Sequence, residues 1–180
     1  LNKPIYLGAV QSLIMTEDMA DAGIEEYVYR VRDLPDYRKT MDMIITPDAP
    51  PDLLNAEPEN SATIGFALED TLQTLLEEGA TFHMSLTAVL QKLSSQNKCY
   101  LLSTLGVKDR QIALLGYTVF RGGQREGFIP NDKARGILYL IQGGKKMKPQ
   151  FQYDVNEDQI DYTLNALIKH TDIKVTWDGE

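Results

Sequence analysis

The residues whose types could do chemistry are few: two histidines, His83 and His170, one cysteine, Cys99, and several adjacent acid pairs. The histidines lie far apart, and the chain contains neither an HExxH nor a CxxC spacing, so no transition-metal ligand set is specified. His83 and Ser85 are two residues apart and could be read as a base and a nucleophile. Ser85 has a simpler role as the cap of a following helix, and no G-x-S-x-G elbow surrounds it. Cys99 opens the apolar run Cys99-Tyr100-Leu101-Leu102, where a free thiol reads as a small buried hydrophobe. The acid pairs Glu17-Asp18, Glu25-Glu26, Glu77-Glu78 and Glu157-Asp158 point about 100° apart on a helix and read as solvated faces rather than paired catalytic carboxylates. Asn156-Glu157-Asp158 lacks the order of a calcium loop. Gly122-Gly123 and Gly143-Gly144-Lys145-Lys146 match neither phosphate-binding glycine pattern and read as a turn and a helix stop. Lys145, Lys146 and Lys148 form the strongest basic cluster, most simply a solvated loop, alternatively a contact for an acidic partner or lipid headgroups. The expectation is therefore no catalytic residue, no metal and no cofactor.

Composition bounds the remaining possibilities. Of the 180 residues 43% are hydrophobic, enough for a core, and 18 Lys and Arg against 26 Asp and Glu leave a net charge of -8. That charge repels nucleic-acid phosphates at long range, so nucleic acid is not an expected partner. A single cysteine excludes an internal disulfide. No window holds the roughly 18 to 20 apolar residues of a membrane helix, and no signal-peptide order is present. An opening at Leu1 and a final Asp178-Gly179 turn signal suggest a piece of a longer protein.

The elements that would position these residues follow from periodicity. Residues 5–15 read as a strand ending at Thr16, which caps a short helix from Glu17 to Ala22 closed by Gly23. A second helix covers Ile24–Arg32, and Met41–Ile45 alternates imperfectly, as a largely buried strand does. Prolines 47, 50, 51 and 58 mark a crossover or linker between residues 46 and 60. Ile64, Leu68, Leu72, Leu75 and Leu76 form a helical stripe stopped at Gly79, and Ser85 caps a helix with Leu86, Val89, Leu90 and Leu93. Cys99–Leu105 and Ile112–Phe120 read as strands, with a hairpin at Gly122-Gly123 leading to a short strand at 126–129. Asn131 or Asp132 begins a helix that Gly143-Gly144 ends. Residues 151–155 and 173–177 alternate as strands, and 160–170 fits either helix or strand.

The fold class that results is α+β, with mixed sheets and packed helices in two small units, the second a compact α/β unit. The expected division is 1–57 as a partial N-terminal strand and helix domain, 58–148 as the α/β domain, and 149–180 as strands leading toward a further domain.

Three blocks carry a resemblance. Ser12-Leu13-Ile14-Met15-Thr16-Glu17-Asp18-Met19-Ala20-Asp21-Ala22-Gly23-Ile24 resembles a Ger(x)C-family segment in which a strand enters an acidic, Ala-containing helix and then Gly-Ile. Arg32-Asp33-Leu34-Pro35-Asp36-Tyr37-Arg38 is similar to that family's Arg-Asp-x-x-x-x-Arg element. Gly116-Tyr117-Thr118-Val119-Phe120-Arg121, then Gly127-Phe128-Ile129 and Arg135-Gly136-Ile137, resemble its Gly-x-Ala-Val-Phe, Gly-Trp-Leu and Arg-Gly series. Phe128 stands where the family has Trp, Thr118 where it has Ala, and Pro130 follows the turn. The resemblance implies a C subunit of bacterial spore germinant receptors: a three-domain, non-enzymatic lipoprotein on the outer face of the spore inner membrane. Its lipid-bearing cysteine would lie outside this chain, and its partners would be membrane-embedded receptor subunits. It offers no catalytic residues.

On this reading the chain is a non-catalytic soluble portion of that subunit, acting in assembly. The alternatives are a small-molecule (germinant) sensor and an unrecognised hydrolase using Ser85, His83 or an acidic pair. Arg121, Arg125 and Phe128 of the hairpin are the candidates for the rim of a partner surface, against a plainer reading as turn charges and a core aromatic.

Overall fold

The computed structural model describes residues 7–56, 63–142, 150–157 and 160–167. The elements run β1 (Ser12–Thr16), α1 (Glu17–Ala22), α2 (Glu25–Asp33), β2 (Asp42–Thr46), α3 (Pro50–Leu54), α4 (Ile64–Glu77), α5 (Leu86–Ser94), β3 (Cys99–Lys108), β4 (Gln111–Arg121), β5 (Gln124–Pro130) and α6 (Asn131–Gln142). These are followed by β6 (Gln150–Glu157) and β7 (Ile160–Leu167). The fold is α+β. One five-stranded sheet has the order β1-β2-β3-β4-β5, with β1, β2 and β3 parallel and β3, β4 and β5 antiparallel. Strands from residues 1–57 and from 58–148 thus share a single sheet. β6 and β7 form a separate antiparallel pair, so residues 160–167 are strand.

Local chemistry explains the boundaries. Thr16 Oγ1 accepts the Met19 N–H at 3.3 Å and caps α1, and Gly23 at φ 99 ends it. Ser85 caps α5 through the Ala88 N–H at 3.2 Å. Two expectations shift. The strand over 5–15 is confined to Ser12–Thr16, the stretch that finds partners along β2, and a 3₁₀ turn occupies Leu7–Ala9. The proline-rich crossover contains α3, because prolines are tolerated in a helix's first turn, where N–H groups have no partner; Leu53 then packs inward. Gly143-Gly144, Lys145, Lys146, Lys148, His170 and the strand read at 173–177 lie outside the described residues.

Helices cover both faces of the sheet. On one, Met15, Met43, Ile45, Tyr100, Leu102 and Phe120 meet Ala20, Val28 and Val31 of α1 and α2 and Leu86, Val89 and Leu93 of α5. On the other, Ile44, Leu105 and Ile112 meet Leu53 of α3 and Ala67, Leu68 and Leu72 of α4. Tyr117 and Leu101 on that same face pack on Ala134 and Leu138 of α6. Buried hydroxyls are satisfied: Tyr117 donates to the Ala80 carbonyl at 2.9 Å, and Thr104 and Thr118 Oγ1 atoms lie 2.8 Å apart.

Two hairpins close the antiparallel half. Lys108 pairs with Gln111 across Asp109 and Arg110, at φ 53 and φ 64. Two left-handed residues are what a tight hairpin with the right twist requires. Arg121 pairs with Gln124 around Gly122 at φ 61. The second turn docks on the α1–α2 junction, where the Ile24 N–H donates to the Gly123 carbonyl at 2.9 Å. A Cβ on Gly123 would lie 2.4 Å from Glu25 Cβ. A bulge between Thr104 and Leu105 leaves Leu115 as the extra residue beside Gly116.

Gly116 marks the tightest approach in the sheet, since a Cβ there would lie 2.2 Å from the Ile129 carbonyl oxygen and 2.7 Å from the Phe128 ring. The Gly116→Ala variant is expected to lose about 2 kcal/mol or more, as overpacking does. Urea unfolding should show a lowered midpoint at unchanged slope. Gly127→Ala is the control, because its Cβ meets nothing within 4 Å.

Candidate functional site

Strand alternation gives the outermost strand two different faces. Leu13 and Met15 point to the α1, α2 and α5 side, while Ser12 and Ile14 point to the α4 side. α4 begins beside them, with Thr63 Oγ1 capping the Phe66 N–H at 3.4 Å. Between strand and helix lies an open groove of about 300 Å³. Ile14 and Leu68 contribute its apolar surface, and Phe66, 59% exposed, stands at its side. Gln11, Ser12 and Glu69 add polar groups. Volume and lining fall at the small end of ligand sites.

Register brings a second feature alongside. Ser12 pairs with Asp42 in the parallel ladder, so the Asp42 carboxylate emerges on the same face as the groove. The segment before α5 runs antiparallel to the start of β2: the Met43 N–H donates to Met84 O, and the Leu86 N–H to Met41 O, both at 3.0 Å. This places His83 against Asp42, with Nδ1 2.7 Å from Oδ1 and side chains 53% and 24% exposed. Burial raises the Asp42 carboxyl above its ordinary pKa, by more than the neighbouring imidazole lowers it.

Ser85 also lies opposite Asp42, so the sheet gathers an aspartate, a histidine and a serine. The arrangement does not activate a nucleophile. Ser85 Oγ accepts the Ala88 N–H as a cap, Ser85 is buried, and among the described residues no hydrogen bond joins it to His83.

Reading the sequence missed the Asp42–His83 pair, whose members are close only through the sheet. A signal was present in Asp42 itself, a carboxylate interrupting the apolar run Met41-Met43-Ile44-Ile45 and therefore needing a polar partner.

The three hairpin residues do not share one surface. Arg125 pairs across from Phe120 and Phe128 from Thr118, on the face toward α1, α2 and α5, whereas Arg121 falls on the other face. Arg125 turns onto α1, its guanidinium 3.1 Å from Glu17 Oε1 and 2.9 Å from Asp21 Oδ1, with Nε buried and unpartnered. Glu17 is accordingly an intramolecular ion-pair partner rather than a merely solvated acid. The Phe128 ring lies over Gly116 and remains 39% exposed. Arg121 is exposed and 3.7 Å from Glu126. Cys99 differs from expectation: it is exposed, because it is the first residue of β3 and precedes the buried stretch from Tyr100. Among the described residues no three His, Cys, Asp or Glu side chains converge as a metal site would, and no helix is long and apolar enough to cross a membrane.

Residues 1–107 match the family described as the spore germination protein N-terminal domain. The match spans more than half of the chain, which belongs to this family, that of the Ger(x)C germination proteins. Among solved structures the chain is similar to the crystal structure of the GerBC protein, with a TM-score of 0.52 at 10% identity over 91% of this chain. That likeness is one of fold. The chain spans 46% of the length of that structure. No curated protein matches it.

The raised pKa of Asp42 sets a pH dependence. Its charged form is disfavoured in the fold, so ionisation subtracts stability above the folded pKa and nothing below the ordinary carboxylate value. Asp42→Asn keeps an acceptor for His83 and removes that penalty. Thermal melts should show the variant more stable than wild type at pH 7. The gap should close as pH falls through the interval between the raised pKa and the ordinary one.

Proposed function

We propose that the chain is a non-catalytic portion of a membrane-anchored spore germination receptor subunit, acting in assembly with membrane-embedded partner subunits. The observation that carries this reading is membership of the germination family over residues 1–107, together with the GerBC-like fold. The parent protein would sit as a lipoprotein on the outer face of the spore inner membrane, its lipid anchor outside this chain. Because strands from residues 1–57 and 58–148 share one sheet, the two stretches would serve together as one unit of it, with residues 149–180 as the entry to the next. No catalytic residue, metal or cofactor is assigned.

Hairpin contacts test this directly. Arg121 and Phe128 are the more accessible of the three candidates, while Arg125 is engaged with α1. Partner subunits recovered with the full-length parent are expected to fall by several-fold for Arg121→Ala and Phe128→Ala variants that melt like wild type. Unchanged recovery in both removes the hairpin from the contact. Recovery of no receptor subunit with wild type sinks the assembly reading.

A second reading, a small-molecule sensor, is favoured by the groove beside Phe66. Calorimetric titration of the chain with amino acids and sugars decides it. Saturable binding lost in Phe66→Ala would move the assignment from assembly to sensing, and the assembly reading expects no heat of binding.

A further inference from the structure

The two outer strands of the sheet are built differently. β5 carries Arg125 and Glu126 and ends at Pro130, devices that discourage pairing with another strand. β1 is Ser12-Leu13-Ile14-Met15-Thr16, with no charge, no proline and no glycine. Its backbone geometry follows from one bond. The Asp42 N–H donates to the Gln11 carbonyl at 2.8 Å, so Gln11 faces β2. Alternate residues along a strand aim their N–H and C=O groups to opposite sides, so Leu13 and Met15 also face β2 while Ser12 and Ile14 aim outward, the Thr16 carbonyl being taken by the first turn of α1. Among the described residues no strand pairs with that side.

The groove opens along this same edge. Ser12 and Ile14 lend it their side chains, and the exposed Phe66 stands beside them. Among the described residues that line it, only Glu69 is charged; it is exposed and has no ion-pair partner among them. A strand edge with unused hydrogen-bonding groups, flanked by a side-chain pocket, is the arrangement that receives an extended peptide. Charge selects which peptide. The chain carries a net -8 and the pocket a lone carboxylate, so a second copy of the chain is repelled and a basic segment is attracted.

We propose that the outer edge of β1 receives an extended segment of a partner protein as a sixth strand. One apolar side chain of that segment sits in the groove against Phe66, and a lysine or arginine lies beside Glu69. The proposal rests on the assembly reading and names the surface and the kind of segment it uses.

A displayed library of random short peptides, selected on the whole chain, tests it. Enriched peptides should alternate apolar and polar residues and carry Lys or Arg. Binding should slow hydrogen exchange at the Ile14 amide. Ile14→Pro removes an outward donor without touching the ladder to β2, and Glu69→Lys reverses the pocket charge. Each should weaken binding by about tenfold or more, and the Glu69→Lys chain should select acidic peptides instead. Glu69→Lys lies on an exposed helix position and keeps the test decisive if Ile14→Pro unfolds the chain. The proposal is overturned if no alternating basic peptide is enriched, if enriched peptides bind wild type and Glu69→Lys alike, or if Ile14 exchange is unchanged. Sedimentation showing self-association through this edge would replace the occupant with a second copy. In the partner-recovery experiment, wild type and Glu69→Lys recovering receptor subunits equally would reject this edge and leave the assembly reading standing.

Discussion

β2 has no wet face. Met43 and Ile45 on one side and Ile44 and Thr46 on the other are each at most 2% exposed. A strand buried this way needs neighbours on both edges for its backbone and helices over both surfaces for its side chains. Parallel neighbours require long crossovers, and the chain supplies them with helices: α1 and α2 between β1 and β2, then α3, α4 and α5 between β2 and β3. The second crossover serves both surfaces, since α3 and α4 cover Ile44 while α5 lies with Ile45. Fully burying each isoleucine contributes about 1.5–3 kcal/mol, so Ile44 and Ile45 alone bind the two layers to one strand. The antiparallel strands then extend a sheet whose position β2 has already set.

What could be read from the sequence was whatever depended on near neighbours. Thr16 and Ser85 act within three residues, and their caps were visible as hydroxyls placed before helical stripes. The imperfect alternation of Met41–Ile45 signalled two-sided burial, and the glycines at 23, 79 and 122 take the left-handed conformations their positions suggested. Less legible features depended on partners distant in sequence or on residues used against their statistics. The Asp109-Arg110 turn offers no glycine for its two positive φ angles, so strand pairing on both sides imposes the conformation. Cys99 lies one residue outside the buried part of an apolar strand, a distinction that periodicity cannot make.

The sites show the same division. Arg125, a candidate for the rim of a partner surface or a plain turn charge on the sequence alone, is drawn to α1 because the Gly122-Gly123 turn docks against the α1–α2 junction. A long side chain beside a helix bearing Glu17 and Asp21 finds an ion pair before it finds a partner protein. Phe128 was ambiguous between core and surface, and it is both: its ring shields the bare backbone of Gly116 while its outer face stays open. The groove left no trace in the sequence, since its lining comes from β1 and from α4 after a long intervening stretch.

Asp42 and His83 show why gathered polar residues need not be a catalytic site. For Asp42, desolvation outweighs the attraction of the imidazole, so the pair is not a strongly stabilising ion pair. Its value is geometric. An acceptor at the first residue of β2 and a donor just before α5 fix the short antiparallel contact of residues 41–43 with 84–86. That contact delivers Ser85 to its capping position, a cap of this kind stabilising by about 1 kcal/mol. Recruiting Ser85 Oγ as a nucleophile would break the cap and require a buried hydroxyl to reach substrate. The balance favours the bland use of all three residues: the aspartate and histidine hold the segment, and the serine starts the helix that covers Ile45.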